Sequence, residues 1–589
     1  MAKKGFEPSV QDLVYSVDAG LGLRLLRLVL AAFAVLFLAL LYTGTQYRGF
    51  KDSSSMEYAQ LGRNLAVHNR LITYTVRPAT IHYLTENTPE ANPRIMFHPD
   101  VLHPPMYPAV LAAPMKLMNA LGADLEAKPA PGSRPPPRYP LEQWLVVPLN
   151  HLFLILTGVF LFLLARRLFA PRIAMLSVLV YFLTDAVWAD SIAGGGLPLL
   201  SFFIVAATYG AVVAERRWQQ MSSAAEWMGP LVLSAVAAAF AFLTRYAGGA
   251  IAAGLFIFLL ASGWSRHRGW LPPLIFTAVF VLALSPWLVR NVLISGDLLG
   301  MTPWLALSGS PMFEGQSLMR DLTPAFSAGE AVEAVRSRWV ASMAEFYGGE
   351  FFALGGGILV GLFLISFLYK FERRYIQLLR YGVLAALIVF ITGAAAFGSE
   401  ALRGYHAFWP LILVFGWAYF HVLLDQRGLV IPLLNNLVTG VVVVLCVLPF
   451  LFRILPPRAE DAYPPYFWPQ IQRLCGWMQP QEVICTDMPW ATAWYGNRVS
   501  VLLPEDVNQY YEINDYRRNM NALYFTTITK NKGFARELIR KEQSWLPLMN
   551  GRTPEGFPLQ EGFNLNKHDQ MFLTDYPRWA GQMEEEGGE

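Results

Sequence analysis

A polytopic α-helical membrane protein with a small α/β domain at its C-terminal end is the fold class this sequence predicts. Three observations predict it. Hydrophobic residues make up 54% of the chain and charged residues 15%, against roughly 25% charge in a soluble protein. Several uncharged runs reach the roughly 20 residues needed to cross a hydrocarbon core of about 30 Å. After Leu455 the composition turns polar and aromatic, and short β-rich runs alternate with helix-like stretches, the pattern of a small, mostly parallel α/β layer. The net charge of +3, with no basic run interleaved with aromatics, excludes a nucleic-acid partner. Three cysteines exclude a disulfide scaffold and match no zinc spacing. Cys475 and Cys485 either pair or remain free thiols.

Taken in order, residues 1–27 carry Lys3, Lys4, Arg24 and Arg27 ahead of the first apolar run, 28–42. That run is too long for a signal-peptide core and lacks a small-residue cleavage site, so it reads as an uncleaved anchor. Further spans are expected at 145–165, 172–190, 197–214, 230–246, 248–263, 271–293, 352–369, 379–397, 405–424 and 430–453, eleven in all. With a cytoplasmic start, the inside turns are Arg166-Arg167, Glu215 to Arg217, Arg266 to Arg268, Lys370 to Arg374 and Asp425 to Arg427. Each carries arginine, as the positive-inside rule requires. Residues 28–455 thus form the membrane domain, interrupted by a large outer loop at 46–144, and 456–589 form an outer α/β domain. Its expected strands are 482–486, 499–503, 522–527 and 571–574, with helices near 469–478 and 533–544. It lacks a Gly-rich phosphate loop.

The loop 46–144 holds the chemistry candidates. Asp52 follows the anchor closely and precedes a helix-like run, Met56 to Asn69. It reads either as a reactive acid near the lipid headgroups or as an N-cap, a role Ser53 to Ser55 would fill equally well. Glu57 is expected to face solvent on that helix. The loop then runs through a Pro-rich strip, 122–140, expected to be an extended tether.

The order of motifs resembles the GT-C glycosyltransferases, membrane enzymes that draw sugars from polyprenyl-phosphate carriers. The resemblance rests on Asp52 with Tyr58 and Leu61-Gly-Arg-Asn-Leu65, on His103-Pro-Pro-Met-Tyr-Pro108, on Ala241-Phe-Leu-Thr-Arg245-Tyr246, and on Pro286-Trp-Leu-Val-Arg290-Asn291. A shorter turn, Arg403-Gly-Tyr405-His406, has a loose counterpart. The nearest branches are bacterial relatives of protein mannosyltransferases and lipid A aminoarabinose transferases. The chain departs from the family pattern at Ser53, where many relatives carry a second acid. It departs again at Gly196-Leu197-Pro198, where relatives place an acid before the proline.

The resemblance implies an inverting hexosyl or pentosyl transfer from a polyprenyl-phosphate sugar to a glycan, lipid or protein acceptor, at the outer face of a bacterial plasma membrane. Asp52 then becomes the expected catalytic base, with Asp190 and Asp185 as second choices. Arginine stays charged and binds phosphate bidentately, which makes Arg245, Arg290 and Arg403, at outer ends of spans, the expected phosphate ligands; interface anchoring is the alternative. His406, His103 and Tyr107 join them as substrate contacts. His98, Asp100 and His103 are candidate ligands for a divalent metal, although no fourth ligand is evident. A lipid-linked-sugar transporter and a non-catalytic membrane subunit remain the other readings. The transporter lacks the paired broken helices such proteins use.

Overall fold

The computed structural model describes residues 21–87, 95–126, 136, 138–220, 223–264, 269–426, 432–459, 462, 465–530, 545–565 and 570–579. The N-terminal lysines, most of the Pro-rich strip, the turn 266–268 and the helix expected at 533–544 lie outside the described residues.

Helix α1 spans Leu21–Gln46. The outer loop follows with α2 (Ser53–His68), strand β1 (Thr75–Val76), α3 (Pro78–Asn87) and α4 (Met106–Ala120). The bundle continues through α5 (Val147–Leu168), entered by a π-helical turn at Glu142–Val146, then α6 (Pro171–Phe182), α7 (Asp185–Ile192), α8 (Leu197–Gln219), α9 (Ala224–Thr244), α10 (Ala250–Gly263) and α11 (Leu271–Ser295). After α12 (Ala328–Gly348) and the short α13 (Ile358–Ile365) come α14 (Arg374–Ala395), α15 (Trp409–Gln426) and α16 (Pro432–Ile454).

Among the described residues nine helices are long and apolar enough to cross a membrane, and a tenth span arises if α6 and α7, bent by 51°, count as one. The chain is a multi-pass membrane protein, but the expected count of eleven is not reached on these terms. The segment expected at 352–369 contributes an apolar helix only over Leu354–Leu368, short of the roughly 20 residues a span needs. Gly355, Gly356 and Gly357 hold positive φ there, a conformation glycine adopts without steric cost. The α6–α7 bend has a local cause. Thr184 is extended between the helices, its hydroxyl accepts from the indole of Trp409 at 3.0 Å, and Trp188 donates to the freed carbonyl of Phe182 at 2.6 Å. The Phe182 carbonyl released by the break is thereby paired, as a membrane interior demands.

The C-terminal part comprises α17 (Trp468–Gly476), β2 (Val483–Thr486), α18 (Pro489–Tyr495), β3 (Val499–Leu502), α19 (Val507–Tyr516), β4 (Ala522–Phe525), β5 (Glu561–Leu565) and β6 (Gln570–Thr574). The sheet order is β1-β3-β2-β4-β6-β5. The first four strands run parallel, and β6 and β5 pair antiparallel at the far edge. One edge strand is β1 of the outer loop, in register Thr75↔Ser500 and Val76↔Val501, so loop and domain share one sheet. Cys446, Cys475 and Cys485 are free and buried; Cys475 lies on α17 and Cys485 inside β2, and no disulfide joins them.

Loop helix α2 is polar in sequence but packed on nearly every side. Against α4 it approaches closely through Gly62, where a Cβ would come within 2.8 Å of Leu111. Against α18 it sends Arg63, whose guanidinium donates to the carbonyls of Ala493 (2.6 Å) and Trp494 (2.8 Å). Those carbonyls lie at the end of a short helix, where cationic donors are favoured.

Candidate active site

The connector from α1 to α2 is shaped by two contacts. Gly49 has φ +113°, a region that side chains avoid. The fully buried ring of Phe50 fills the space a side chain at Gly194 would need, since a Cβ there would come within 2.3 Å of it. The connector is thus pressed against the α7–α8 turn. Asp52 takes the N-cap position of α2 in extended conformation, but its side chain makes no capping hydrogen bond. The carboxylate instead lines a cavity of about 250 Å³ shared with Asp190, Arg245, Glu400, Arg403 and Arg453. These groups come from the N-cap of α2, the last turn of α7, the end of α9, the turn before α15, and the end of α16. All lie at the bundle end opposite Arg167 and Arg216, where Arg216 donates to the carbonyl of Arg167 at 3.2 Å.

Arg245 reaches this cavity because the chain breaks there. It is extended between α9 and a 3₁₀ turn, Tyr246–Gly249. A Cβ at Gly248 would come within 2.5 Å of the Ala241 carbonyl, so only glycine lets the chain turn back this tightly. Arg403 is half-exposed, with Glu350 at 3.5 Å. Burial raises the pKa of Asp52 above the usual carboxylate range; Glu400 adds to this, while Arg403 and Arg245 pull the other way.

A second cavity, about 410 Å³, adjoins the first through Ser54, Arg245 and Glu400. Glu57, Arg77 and His103 line it. Glu57 does not face solvent as expected; it is 2% exposed, because α2 is enclosed by α4, α18 and the neighbouring loop. Arg77 donates to Glu57 Oε1 at 2.5 Å. His103 lies between two carboxylates, Nε2 at 3.2 Å from Glu57 and Nδ1 at 2.9 Å from Asp100. Burial alone would raise Glu57, but Arg77 and His103 hold it down to about 2. Burial alone would lower His103, but Asp100 and Glu57 lift it to about 10.

The remaining candidates fall elsewhere. Asp185 accepts from the Tyr42 hydroxyl at 2.8 Å and does not line the Asp52 cavity. Asp190 does, and is paired with His406 Nδ1 at 2.8 Å. Arg290 lies outside both cavities; it donates to the Asp100 carbonyl at 2.6 Å and stacks on Trp287, 4.8 Å from guanidinium carbon to ring centre. Tyr107 is fully buried and donates to the Gly194 carbonyl at 2.8 Å. The candidate metal ligands do not assemble: among the described residues no three His, Cys, Asp or Glu converge to hold an ion. His98, held down to about 4 by burial, pairs with Thr80 at 2.9 Å, while His103 and Asp100 satisfy each other. Sequence reasoning missed Arg453, Glu400 and the role of Arg77; their distance along the chain gives no local signal.

Residues 142–289 match the family model described as dolichyl-phosphate-mannose-protein mannosyltransferase. No curated protein matches in sequence. Among solved structures, the oligosaccharyltransferase of Archaeoglobus fulgidus in its apo form aligns with a TM-score of 0.54 at 13% identity, over 87% of this chain and 71% of that one. The same organism's AglB, with an inhibitory peptide and a dolichol-phosphate, aligns with a TM-score of 0.53 at 11% identity, again over 87% and 71%. ArnT from Cupriavidus metallidurans bound to undecaprenyl phosphate gives 0.46 at 11% identity, over 93% and 98%. At these identities the likeness is one of fold, and the chain has the fold of the GT-C membrane glycosyltransferases.

Proposed function

We propose that this protein is an integral-membrane glycosyltransferase that moves a hexosyl or pentosyl group from a polyprenyl-phosphate donor to an acceptor at the outer membrane face. One observation carries the reading: Asp52, Arg245 and Arg403 line a single cavity at one end of the bundle. The described arginine-bearing turns at the opposite end belong in the cytoplasm by the positive-inside rule. The N-terminus is then cytoplasmic, the cavity opens on the far side, and residues 456–589 lie outside with it. A bacterial plasma membrane is the expected setting. The Archaeoglobus fold relative is described with a dolichol-phosphate and with an acceptor peptide, which supports a lipid-phosphate donor here.

In this reading the acceptor, a glycan, lipid or protein, enters through the larger cavity and places a hydroxyl beside Asp52. Asp52 takes the proton as the oxygen attacks the anomeric carbon. The sugar–phosphate bond breaks, and polyprenyl phosphate leaves with its new charge held by Arg245 and Arg403. Preorganised charge aimed at the departing oxygen is the kind of stabilisation that dominates such reactions. Arg290, which braces the backbone of Asp100, supports the neighbouring wall instead. The same Archaeoglobus enzyme is described with zinc. The donor set here does not match a metal site among the described residues, so every step is assigned to the chain's own groups.

The test is release of polyprenyl phosphate from a panel of labelled polyprenyl-phosphate sugars by purified protein in lipid vesicles, with envelope extract as acceptor source. Release that depends on both acceptor and Asp52 supports the assignment. Carrier crossing the bilayer intact, with no release from any donor, would replace it with transport.

A further inference from the structure

We propose that Glu142 is a positioning residue for Asp52, tying the α1–α2 connector to the C-terminal sheet domain; this rests on the reading of Asp52 given above. Glu142 opens the second span in the π-helical turn Glu142–Val146 and is fully buried. Such turns inside helices occur frequently at functional sites. Its two carboxylate oxygens serve different parts of the molecule. Oε2 accepts from the Tyr47 hydroxyl at 2.5 Å and from the Phe50 amide at 3.3 Å. Oε1 accepts from the Trp494 indole at 2.9 Å.

Tyr47 and Phe50 belong to the connector that delivers Asp52. Trp494 belongs to α18, the helix whose end also receives Arg63 from α2. Both ends of the Asp52 segment are therefore fastened to the same short helix of the C-terminal domain, one of them through Glu142. Only a carboxylate meets this demand without loss. It is acceptor-only, with two oxygens, whereas glutamine offers one oxygen and a donor amide. A glutamine at 142 would turn its NH₂ toward donors on one side, leaving them unpaired in a buried setting.

The experiment uses the full-length protein in nanodiscs with a matched polyprenyl-phosphate sugar. Glu142→Gln should speed hydrogen–deuterium exchange in the 47–52 connector and lower kcat by about 10²-fold, the scale of loss when a reacting group is misplaced by about 1 Å. KM for the carrier should stay near the native value, and the acidic limb of the pH–rate profile should move. Trp494→Phe, which leaves Glu142 in place and removes one of its two donors in the C-terminal domain, the other being Tyr495, should loosen the same connector and lower kcat less. A folding defect alone would reduce active protein without moving the limb. Unchanged connector exchange in both variants would overturn the anchoring. A loosened connector with normal kcat and an unmoved limb would overturn the positioning role, and Asp52→Asn run alongside shows whether the base assignment itself has failed.

Discussion

Asp52 stands at the N-cap of the helix that carries Glu57, five positions on, and the surroundings treat the two in opposite ways. Glu57 is enclosed and answered by two cations, Arg77 and His103, so it is held ionised down to about 2. Asp52 opens on a cavity where burial and Glu400 outweigh the pull of Arg403 and Arg245, and its affinity for a proton rises. Divergent environments of this kind separate a structural carboxylate from one poised to take up a proton. The comparison also explains how the two cavities divide their labour. The larger carries the paired cluster of Glu57, Arg77 and His103, the smaller carries Asp52 and Arg403, and Arg245 and Glu400 line both.

The largest expected effect is on the reactive member of the pair. Asp52→Asn preserves shape but cannot accept a proton, and should lower turnover by about 10²–10⁴-fold with the unfolding midpoint unchanged. Asp185→Asn and Asp190→Asn, measured by the same assay, should cost less. Near-normal turnover in Asp52→Asn, or selective loss in Asp190→Asn, would move the base to Asp190.

Glu57→Gln should do the reverse. Removing one partner of a buried ion pair costs about 3–5 kcal/mol, so unfolding should begin at lower denaturant while turnover per folded molecule changes less. The pH dependence follows from the shifts. His103, lifted to about 10, contributes stability that is complete below its unfolded value of 6.5 and is lost as pH climbs toward 10. Glu57, lowered to about 2, contributes stability present above its unfolded value of 4.5 and lost as pH falls toward 2. Stability from this cluster is therefore greatest between about pH 4.5 and 6.5. Denaturant titrations showing a native-like pH profile in Glu57→Gln would contradict the pairing.

A smaller effect is expected at the arginines. Arg403→Ala should weaken carrier binding by about 1.5–3 kcal/mol, the worth of a hydrogen bond to a charged group. Lysine should restore only part, lacking the planar fork. Arg290→Ala, whose guanidinium braces Asp100 outside the cavity, should leave carrier affinity nearer native. Equal losses of affinity at both positions would redraw the site.

Much of this was legible in the sequence because membrane physics writes itself locally. Apolar runs and arginine-bearing turns marked the helices, and Asp52, Asp190, Arg245 and Arg403 were each marked by their place at the end of a run. What the sequence hid was long-range. Glu57 sits in a polar helix that reads as solvated, and its burial depends on α18, more than 400 residues away. Strand β1 is two residues long, too short for an alternating pattern, and becomes a strand only beside β3. Arg290, like Arg245, ends a span within a family-like motif, but it turns to the Asp100 backbone, which only the folded loop reveals. The Gly355–Gly357 turn shortened an apolar run that hydropathy alone extends across a membrane.

The most direct test of the central claim is the pH dependence of single-turnover sugar transfer in the native protein and in Glu400→Gln. A base whose proton affinity is raised by burial and by Glu400 predicts an acidic limb above the ordinary aspartate range of about 3.9. Removing the Glu400 charge should shift that limb toward lower pH, because the ionised form of Asp52 is no longer repelled. A limb that stays in place in Glu400→Gln, or one that persists in the residual activity of Asp52→Asn, would contradict the assignment of Asp52 as the base.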